Sequence, residues 1–270
     1  MMLNASIVLY KTVFGDVKNL VATLHACKSV GQISLIDNSP TRDERFAALP
    51  VKYLFNGKNI GYGAAHNIAI RQTIAQGTPY HLVVNPDIIL TADALTTMVE
   101  FMAAHREVGQ LMPHVVYPDG KTQYLCKLLP TPLDVFGRRF LPKRWTARRN
   151  ARYELRASGY DKMMNVPYLS GCFMLLRTEA VLKAQLFDER FFMYPEDIDL
   201  TRRIHRDYLT VYFPYATIVH NHAQASYHSL KMLWIHMREM AKYFNKWGWF
   251  VDRERKMINQ QVLNNIGKLE

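Results

Sequence analysis

The chain has 270 residues, 49% of them hydrophobic, and a formal net charge of +11. That length holds one large domain, or one domain with a helical appendage, and the composition is ordinary for a globular protein. No apolar run approaches the ~18–20 residues that span a bilayer, which argues against a membrane-spanning segment. The N-terminus lacks a basic leader, and its short apolar piece reads as a first strand and not as a signal peptide. Cys27, Cys126 and Cys172 are widely spaced. They make neither a disulfide framework nor a zinc pattern, so a reducing compartment is expected.

In chain order, Ala5–Tyr10 reads as the first strand and Asp16–Ser29 as a helix with Val17, Leu20, Val21 and Leu24 on one face. Ile33–Ile36 is a second strand running into the turn Asp37-Asn38-Ser39-Pro40. Val51–Phe55 is a third. The spacing predicts a helix over Tyr62–Gln76, stopped by Gly77. Tyr80–Val84 is a buried strand, and Pro86 ends it because proline has no donor for a sheet ladder. Thr91 caps a further helix. Alternating strands and helices argue for an α/β domain with a largely parallel sheet. Asp87 then lies at the carboxyl end of a strand, the edge where open α/β sheets bind ligands. A carboxylate there suits a hard divalent cation shared with phosphate oxygens, and a plain Asn-Pro-Asp turn is the competing reading.

Tyr117-Pro118-Asp119-Gly120 is a hairpin-type turn. Arg138–Arg156 then carries +7 of the chain's charge, with Phe140, Trp145 and Tyr153 interleaved. Such a block suits an anionic surface, and a solvated loop explains it as well. Val166–Leu176 reads as one long strand with a glycine irregularity. Next comes Phe191-Phe192-Met193-Tyr194-Pro195-Glu196-Asp197-Ile198-Asp199-Leu200. Three carboxylates within four residues, after an aromatic run, suit a helix N-terminus facing a cleft, where the macrodipole favours negative charge. One of them can act as a general base. Thr210–Phe213 and Thr217–Val219 are short strands before His220. From Ser229 to Trp247 an apolar stripe flanked by Lys231, Arg238, Lys242 and Lys246 predicts an amphipathic helix, which packs on the core or lies in a membrane interface.

Several of these pieces recur together in one family. Asp37-Asn38-Ser39, Asn59-Ile60-Gly61-Tyr62-Gly63-Ala64-Ala65-His66-Asn67, Asn85-Pro86-Asp87, Ser170-Gly171-Cys172, the stretch Phe187–Leu200 and Val219-His220 stand in its order and spacing. The chain resembles the inverting nucleotide-sugar glycosyltransferases of family 2, most closely the bacterial rhamnosyltransferase-like branch. The resemblance covers about residues 4–222. It implies a GT-A fold: a Rossmann-like, mostly parallel sheet flanked by helices. The domain then runs over 1–225 with a basic insertion at about 130–163, and the C-terminal amphipathic helices of 226–270, read from their apolar stripe and outside the resemblance, form an appendage.

The resemblance also implies roles. Tyr10 and Asp37 would hold the nucleotide base. Asn59, Gly61, Ala65, Asn67 and Asn85 would line the donor pocket. Asp87 stands where the family's DxD motif places its metal ligand, with Asn85 replacing the first Asp, and His220 would complete a shell for Mg2+ or Mn2+. Asp197 matches the catalytic base, supported by Glu196 and Asp199. Ser170 and Gly171 would border the acceptor. The implied donor is a dTDP- or UDP-sugar, with dTDP-L-rhamnose favoured. The implied acceptor is a lipid-linked bacterial surface glycan, met at the inner face of the cytoplasmic membrane by a cytoplasmic, peripheral enzyme; no nucleic acid is expected as a partner. Two other classes compete: a non-catalytic sugar-nucleotide-binding subunit of a glycan-assembly complex, and a nucleotidyltransferase. The second predicts a glycine-rich basic first loop, which Tyr10-Lys11-Thr12-Val13-Phe14-Gly15 does not supply.

Overall fold

The computed structural model describes residues 2–137, 142–221 and 230–266, with Lys143 and Leu230 described in backbone only. Arg138, Arg139, Phe140 and Ser229, singled out above, lie outside the described residues.

The chain builds strands β1 (Leu3–Leu9), β2 (Val30–Asp37), β3 (Lys52–Phe55), β4 (Tyr80–Val84), β5 (Ile88–Ile89), β6 (Val108–Val116), β7 (Cys126–Lys127), β8 (Met164–Asn165), β9 (Tyr168–Leu169), β10 (Phe173–Arg177) and β11 (Leu209–His220). Interleaved with them are helices α1 (Phe14–Ala26), α2 (Glu44–Ala47), α3 (Tyr62–Ala75), α4 (Ala92–Ala104), α5 (Lys143–Tyr153), α6 (Thr178–Lys183), α7 (Glu196–Ile204), α8 (Leu230–Trp247) and α9 (Arg253–Ile266). The main sheet has the order β3-β2-β1-β4-β10-β6-β11-β5, and β8 pairs with β11. Strands β3, β2, β1 and β4 are mutually parallel. β10 runs antiparallel to both β4 and β6, and β11 runs parallel to β6. All the long strands except β10 therefore share one direction. Their carboxyl ends, and the amino end of β10, meet at a single edge of the sheet.

Side chains alternate across the sheet with period two, as a strand covered on both faces requires. Leu82 and Val84 of β4, with Phe173 and Leu175 of β10, join the larger core beneath α1 and α4. Val83, Met174 and Leu176 join a second core with Ile70 of α3, Val181 of α6 and Leu200 of α7. Met240, Tyr243 and Phe244 of α8 and Ile258 and Val262 of α9 pack into the larger core too. The C-terminal half of the α8 stripe is thus buried within the protein, while Trp234 in its first half is exposed.

Three expectations are corrected. β6 was not expected, because Gly109, Gln110 and Pro113 interrupt its apolar pattern. Gly109 is needed there: a Cβ would lie 2.6 Å from Cβ of Tyr208 and 2.8 Å from Ile204. Pro113 is tolerated because β10 pairs with β6 only at Gln110 and Leu111. The expected strand over 166–176 is two strands, broken at Ser170–Cys172, where the backbone leaves the sheet to hold a side chain in the cleft. The two short strands before His220 are one, with a register shift between Phe213 and Thr217.

Candidate active site

A cleft of about 1530 Å³ opens along the shared strand edge. That volume exceeds the ~300–1,000 Å³ of a typical small-molecule site, so two substrates fit side by side. One end is built by the loops after β1, β2 and β4. Tyr10, Lys11, Asn38, Asn59, Asn85 and Asp87 line it. Lys11 has φ 53, and its N–H donates to Oγ of Ser39 at 2.9 Å, so the first two loops are tied together. Asn38 donates to Asn59 at 3.2 Å and to the Gly61 carbonyl at 3.2 Å. Asn59 in turn accepts from the Gly61 N–H at 3.0 Å.

Asp37 itself lies beneath this surface. It accepts from the Ser39 N–H at 2.8 Å and from the Tyr53 hydroxyl at 2.6 Å, and it shapes the loop that presents Asn38. Gly61 adopts φ +98, and a Cβ would lie 2.9 Å from the Phe192 carbonyl oxygen, so only glycine fits there. The motif's other residues face the protein interior. Ala65 packs with Ile36 and Ala69 under β2. Asn67 donates to the Phe187 carbonyl and the Glu189 carboxylate, both at 2.9 Å, and accepts from the Phe187 N–H at 3.0 Å. It clamps α3 to the loop before the acidic helix. Ala65 and Asn67 are packing residues in this structure, not part of the cleft lining.

Asp87 and His220 come together where β5 pairs with the end of β11, with Ile88 opposite His220. His220 Nε2 lies 3.5 Å from Asp87 Oδ1. Gln123, which the sequence did not flag, fixes the ring. Its Nε2 donates to the His220 carbonyl at 2.8 Å and to the Val116 carbonyl at 3.4 Å, so its Oε1 is the atom 3.0 Å from His220 Nδ1. An amide oxygen only accepts, so Nδ1 carries a proton and Nε2 turns to Asp87. Burial pulls the imidazole pKa down, but Asp87 and Cys172 beside it raise it to about 10. A cation bound at Asp87 would therefore have to displace the Nε2 proton of His220 before the ring could ligate it. One carboxylate and one imidazole form a two-ligand donor set, and among the described residues no cluster of three or more His, Cys, Asp or Glu forms a complete cage. That set suits a divalent cation whose remaining positions are filled by diphosphate oxygens and water.

The acidic helix lines the same cleft. α7 starts at Glu196, after the N-cap Pro195 and Tyr194, whose φ of 88 places a non-glycine residue in the left-handed region. Asp197 is buried, yet it lines the cleft. Its Oδ2 accepts from the Gly171 N–H at 2.7 Å and its Oδ1 from the Ile198 N–H at 2.7 Å. Gly171 permits this approach: a Cβ there would lie 3.1 Å from Cβ of Asp197. Tyr62 steadies the same peptide, its hydroxyl lying 2.7 Å from the Gly171 carbonyl and 3.0 Å from Oδ1 of Asn85. This link joins the metal-side loop to the carboxylate wall. Burial raises the Asp197 carboxyl to about 6, against the pull of these amides and of Lys127. Glu196, buried beside it, is pushed well above the carboxylate range by burial and by the charge of Asp197. The proton therefore stays on Glu196, and Asp197 takes the negative charge.

Asp199 is not a cleft residue. It is fully buried, accepts from Arg203 at 2.9 Å and from the Trp247 indole at 2.8 Å, and pairs with Lys246. It anchors α8, which returns to the cleft with Leu233, His236 and Met240. Ser170 and Gly171 do line the cleft, between Asp197 and the aromatic side chain of Tyr168.

Comparison with known proteins agrees with this geometry. The family described as glycosyltransferase like family 2 matches residues 42–242. The N-acetylglucosaminyl-diphospho-decaprenol L-rhamnosyltransferase of Mycobacterium tuberculosis is 30% identical over 217 residues, which cover 72% of this chain and 67% of that protein. Rhamnosyltransferase WbbL of Escherichia coli K12 is 25% identical over 197 residues, covering 70% of this chain and 71% of that one. The mannosyltransferase PcManGT from Pyrobaculum calidifontis, solved with GDP-Man and Mn2+, superposes with a TM-score of 0.58 at 14% identity, over 91% of this chain and 63% of that one; at that identity it speaks for the fold alone. The cleft, the fold and these relatives agree: the chain belongs to the family 2-like glycosyltransferases and is a nucleotide-sugar-dependent glycosyltransferase with the GT-A fold.

Proposed function

We propose that this enzyme is an inverting transferase that moves L-rhamnose from dTDP-L-rhamnose to a hydroxyl of a lipid-linked bacterial surface glycan. The observation that carries the reading is the presence of two chemistries in one cleft: Asp87 with His220, and Asp197 held by the Gly171 amide. The donor sugar and the lipid-linked acceptor are taken from the relatives, one of which is named for a diphospho-decaprenol acceptor and both for rhamnosyl transfer.

In this reading Tyr10, Asn38 and Asn59 seat the nucleotide, and Asp87 and His220 hold Mg2+ or Mn2+. When bound, such a cation supplies Lewis-acid stabilisation of the charge growing on the leaving diphosphate. Gln123 keeps the His220 ring turned to it. Asp197 takes the proton of the acceptor hydroxyl as that oxygen attacks the anomeric carbon from the face opposite the diphosphate. Glu196 stays protonated and so leaves the charge of the pair on Asp197. No second carboxylate is needed as a nucleophile, so the configuration inverts.

The catalytic domain is residues 1–225, and the helices of 226–270 close the acceptor side. Contact with an anionic membrane surface fits one face of the protein. Arg149 of α5 bonds to Asp134 at 2.6 Å, and Phe136 stacks on Trp249 at 6.1 Å. These contacts gather the arginines of α5, the exposed Trp145 and Leu133, and the exposed Phe250-Val251 turn on that face. No described helix is long and apolar enough to cross a bilayer, so attachment would be interfacial. The test is a donor screen with purified protein and Mg2+ or Mn2+, read by release of nucleoside diphosphate. Release from dTDP-L-rhamnose above all other donors supports the reading; a different preferred donor replaces it.

A further inference from the structure

The cleft has a third wall that neither the base nor the metal site uses. β7 pairs antiparallel with β9, setting Lys127 opposite Tyr168, and β9 runs directly into Ser170-Gly171 beneath Asp197. The Lys127 ammonium stands 5.2 Å from the centre of the Tyr168 ring, and its charge draws the Asp197 carboxyl down. It is therefore within electrostatic reach of the base. Arg156 lines the same cleft. Its guanidinium lies 4.5 Å over the Tyr124 ring and bonds to Oε2 of the buried Glu154 at 2.9 and 2.6 Å. One buried hydroxyl ties the two cations' backbones together: that of Tyr160 lies 2.9 Å from the Cys126 carbonyl and 2.8 Å from the Glu154 carbonyl. The Leu128 N–H also donates to the Tyr153 carbonyl at 3.0 Å. Each cation is thus seated on an aromatic face and these bonds tie the neighbouring backbones together, while the Arg156 side chain itself stays about half exposed at 48%. Glu154 and Asp134 also line the cleft, and an arginine bridges each of them.

We propose that Lys127 and Arg156 form the subsite for the acceptor's diphosphate, holding the anion while the acceptor hydroxyl reaches Asp197. The proposal rests on the lipid-linked acceptor of the reading above and assigns the residues that recognise it. A guanidinium and an ammonium lining one cleft on linked backbones suit a diphosphate, where the planar fork takes one phosphate and the point charge the other. The donor carries a diphosphate too, and the reading above assigns that one to the pair Asp87 and His220. The subsite makes the enzyme discriminate acceptors by the linkage to their lipid, and not only by the sugar that receives the new bond.

The test uses geranyl diphosphate and geraniol as probes of the full-length protein, by calorimetry in EDTA, which suppresses metal-dependent binding at the donor site. The wild type is expected to bind the diphosphate at least about tenfold more tightly than the alcohol, since each charge-assisted contact is worth roughly a factor of ten. Lys127→Gln/Arg156→Gln should remove that preference, and Lys127→Arg should keep most of it, which separates lost charge from lost fold. dTDP affinity in Mn2+ should move less than about twofold in the double variant. Unchanged geranyl diphosphate binding in the double variant overturns the subsite. So does a parallel loss of dTDP affinity, which would give these cations to the donor's diphosphate. Donor cleavage by the wild type is scored separately: its absence would remove the transferase reading and leave the probe result standing.

Discussion

The two ends of the cleft are made in different ways. The donor end is assembled from residues that directly follow strands: Tyr10 after β1, Asn38 after β2, Asp87 after β4, and His220 closing β11. The sheet fixes their spacing, and each loop needs only a few residues to do its work. The acceptor end is a patchwork. Lys127 sits on a two-residue strand, Arg156 beyond a basic helix, and Leu233 and His236 on α8, which is held by buried ion pairs. Arg202 reaches Asp252 at 2.7 Å and Glu254 at 2.7 Å, with Trp247 3.9 Å above its guanidinium. In the proposed reading the residues that serve the donor stand at the sheet edge, and those that serve the acceptor stand on its attachments.

The sharpest break in that comparison is at Asp197, where the two ends meet. Asp197→Asn keeps the size and one of the two amide contacts but removes the base. Turnover should fall about 10²–10⁴-fold, with donor affinity retained. Near-normal turnover in calorimetrically donor-competent protein would remove Asp197 from the mechanism. In the wild type, kcat should rise with pH through about 6, because only the deprotonated carboxylate accepts a proton and burial lifts its pKa to that value. An acid limb that persists in Asp197→Asn would belong to another group.

Two residues along the same helix, Asp199 should behave as a structural group. Asp199→Asn leaves Arg203 and Lys246 without their buried partner, and stability should fall by about 3 kcal/mol or more. Denaturant unfolding reads this, and the folded fraction should keep its donor affinity. A loss of donor affinity without a loss of stability would return Asp199 to the site. On the donor side, Gln123→Leu should weaken Mn2+-dependent dTDP binding about 10–100-fold while leaving metal-free binding alone. An equal loss with and without metal would show that Gln123 supports the strand and not the His220 ring. The smallest effect belongs to the outer face of the acceptor end. Arg148→Gln should cost about 1 kcal/mol of binding to anionic vesicles and nothing on neutral ones, an effect fading as salt rises. Equal co-sedimentation with both vesicle types would separate the basic helix from the membrane.

The sheet edge was legible because its signals are local. Tyr80–Val84 followed by Asn85-Pro86-Asp87 announces a strand and its end within eight residues, and the acidic helix start is equally compact. Asp199 was misread although the sequence held the correction: residues two apart on a helix point about 200° from one another, so Asp197 and Asp199 cannot share a face. Asn67 and Ala65 were misplaced for a similar reason, since a motif's recurrence does not say whether it lines a pocket or clamps the helix behind it. β6 was hidden by Gly109 and Pro113, whose tolerance depends on neighbours distant in sequence. Lys127 and Gln123 carried no local signal at all. Only the pairing of β7 with β9 brings Lys127 beside the base, and only the return of β11 brings His220 to Gln123.

The most direct test of the central claim, a single base acting across the cleft from the diphosphate, is the anomeric configuration of the product. Proton NMR of the glycosylated acceptor, formed by purified enzyme and followed from the first turnovers, reads it without ambiguity. The account predicts a configuration opposite to that of the donor. Retained configuration would contradict it, because Asp197 in its present setting offers a base to the acceptor and no nucleophile to the sugar.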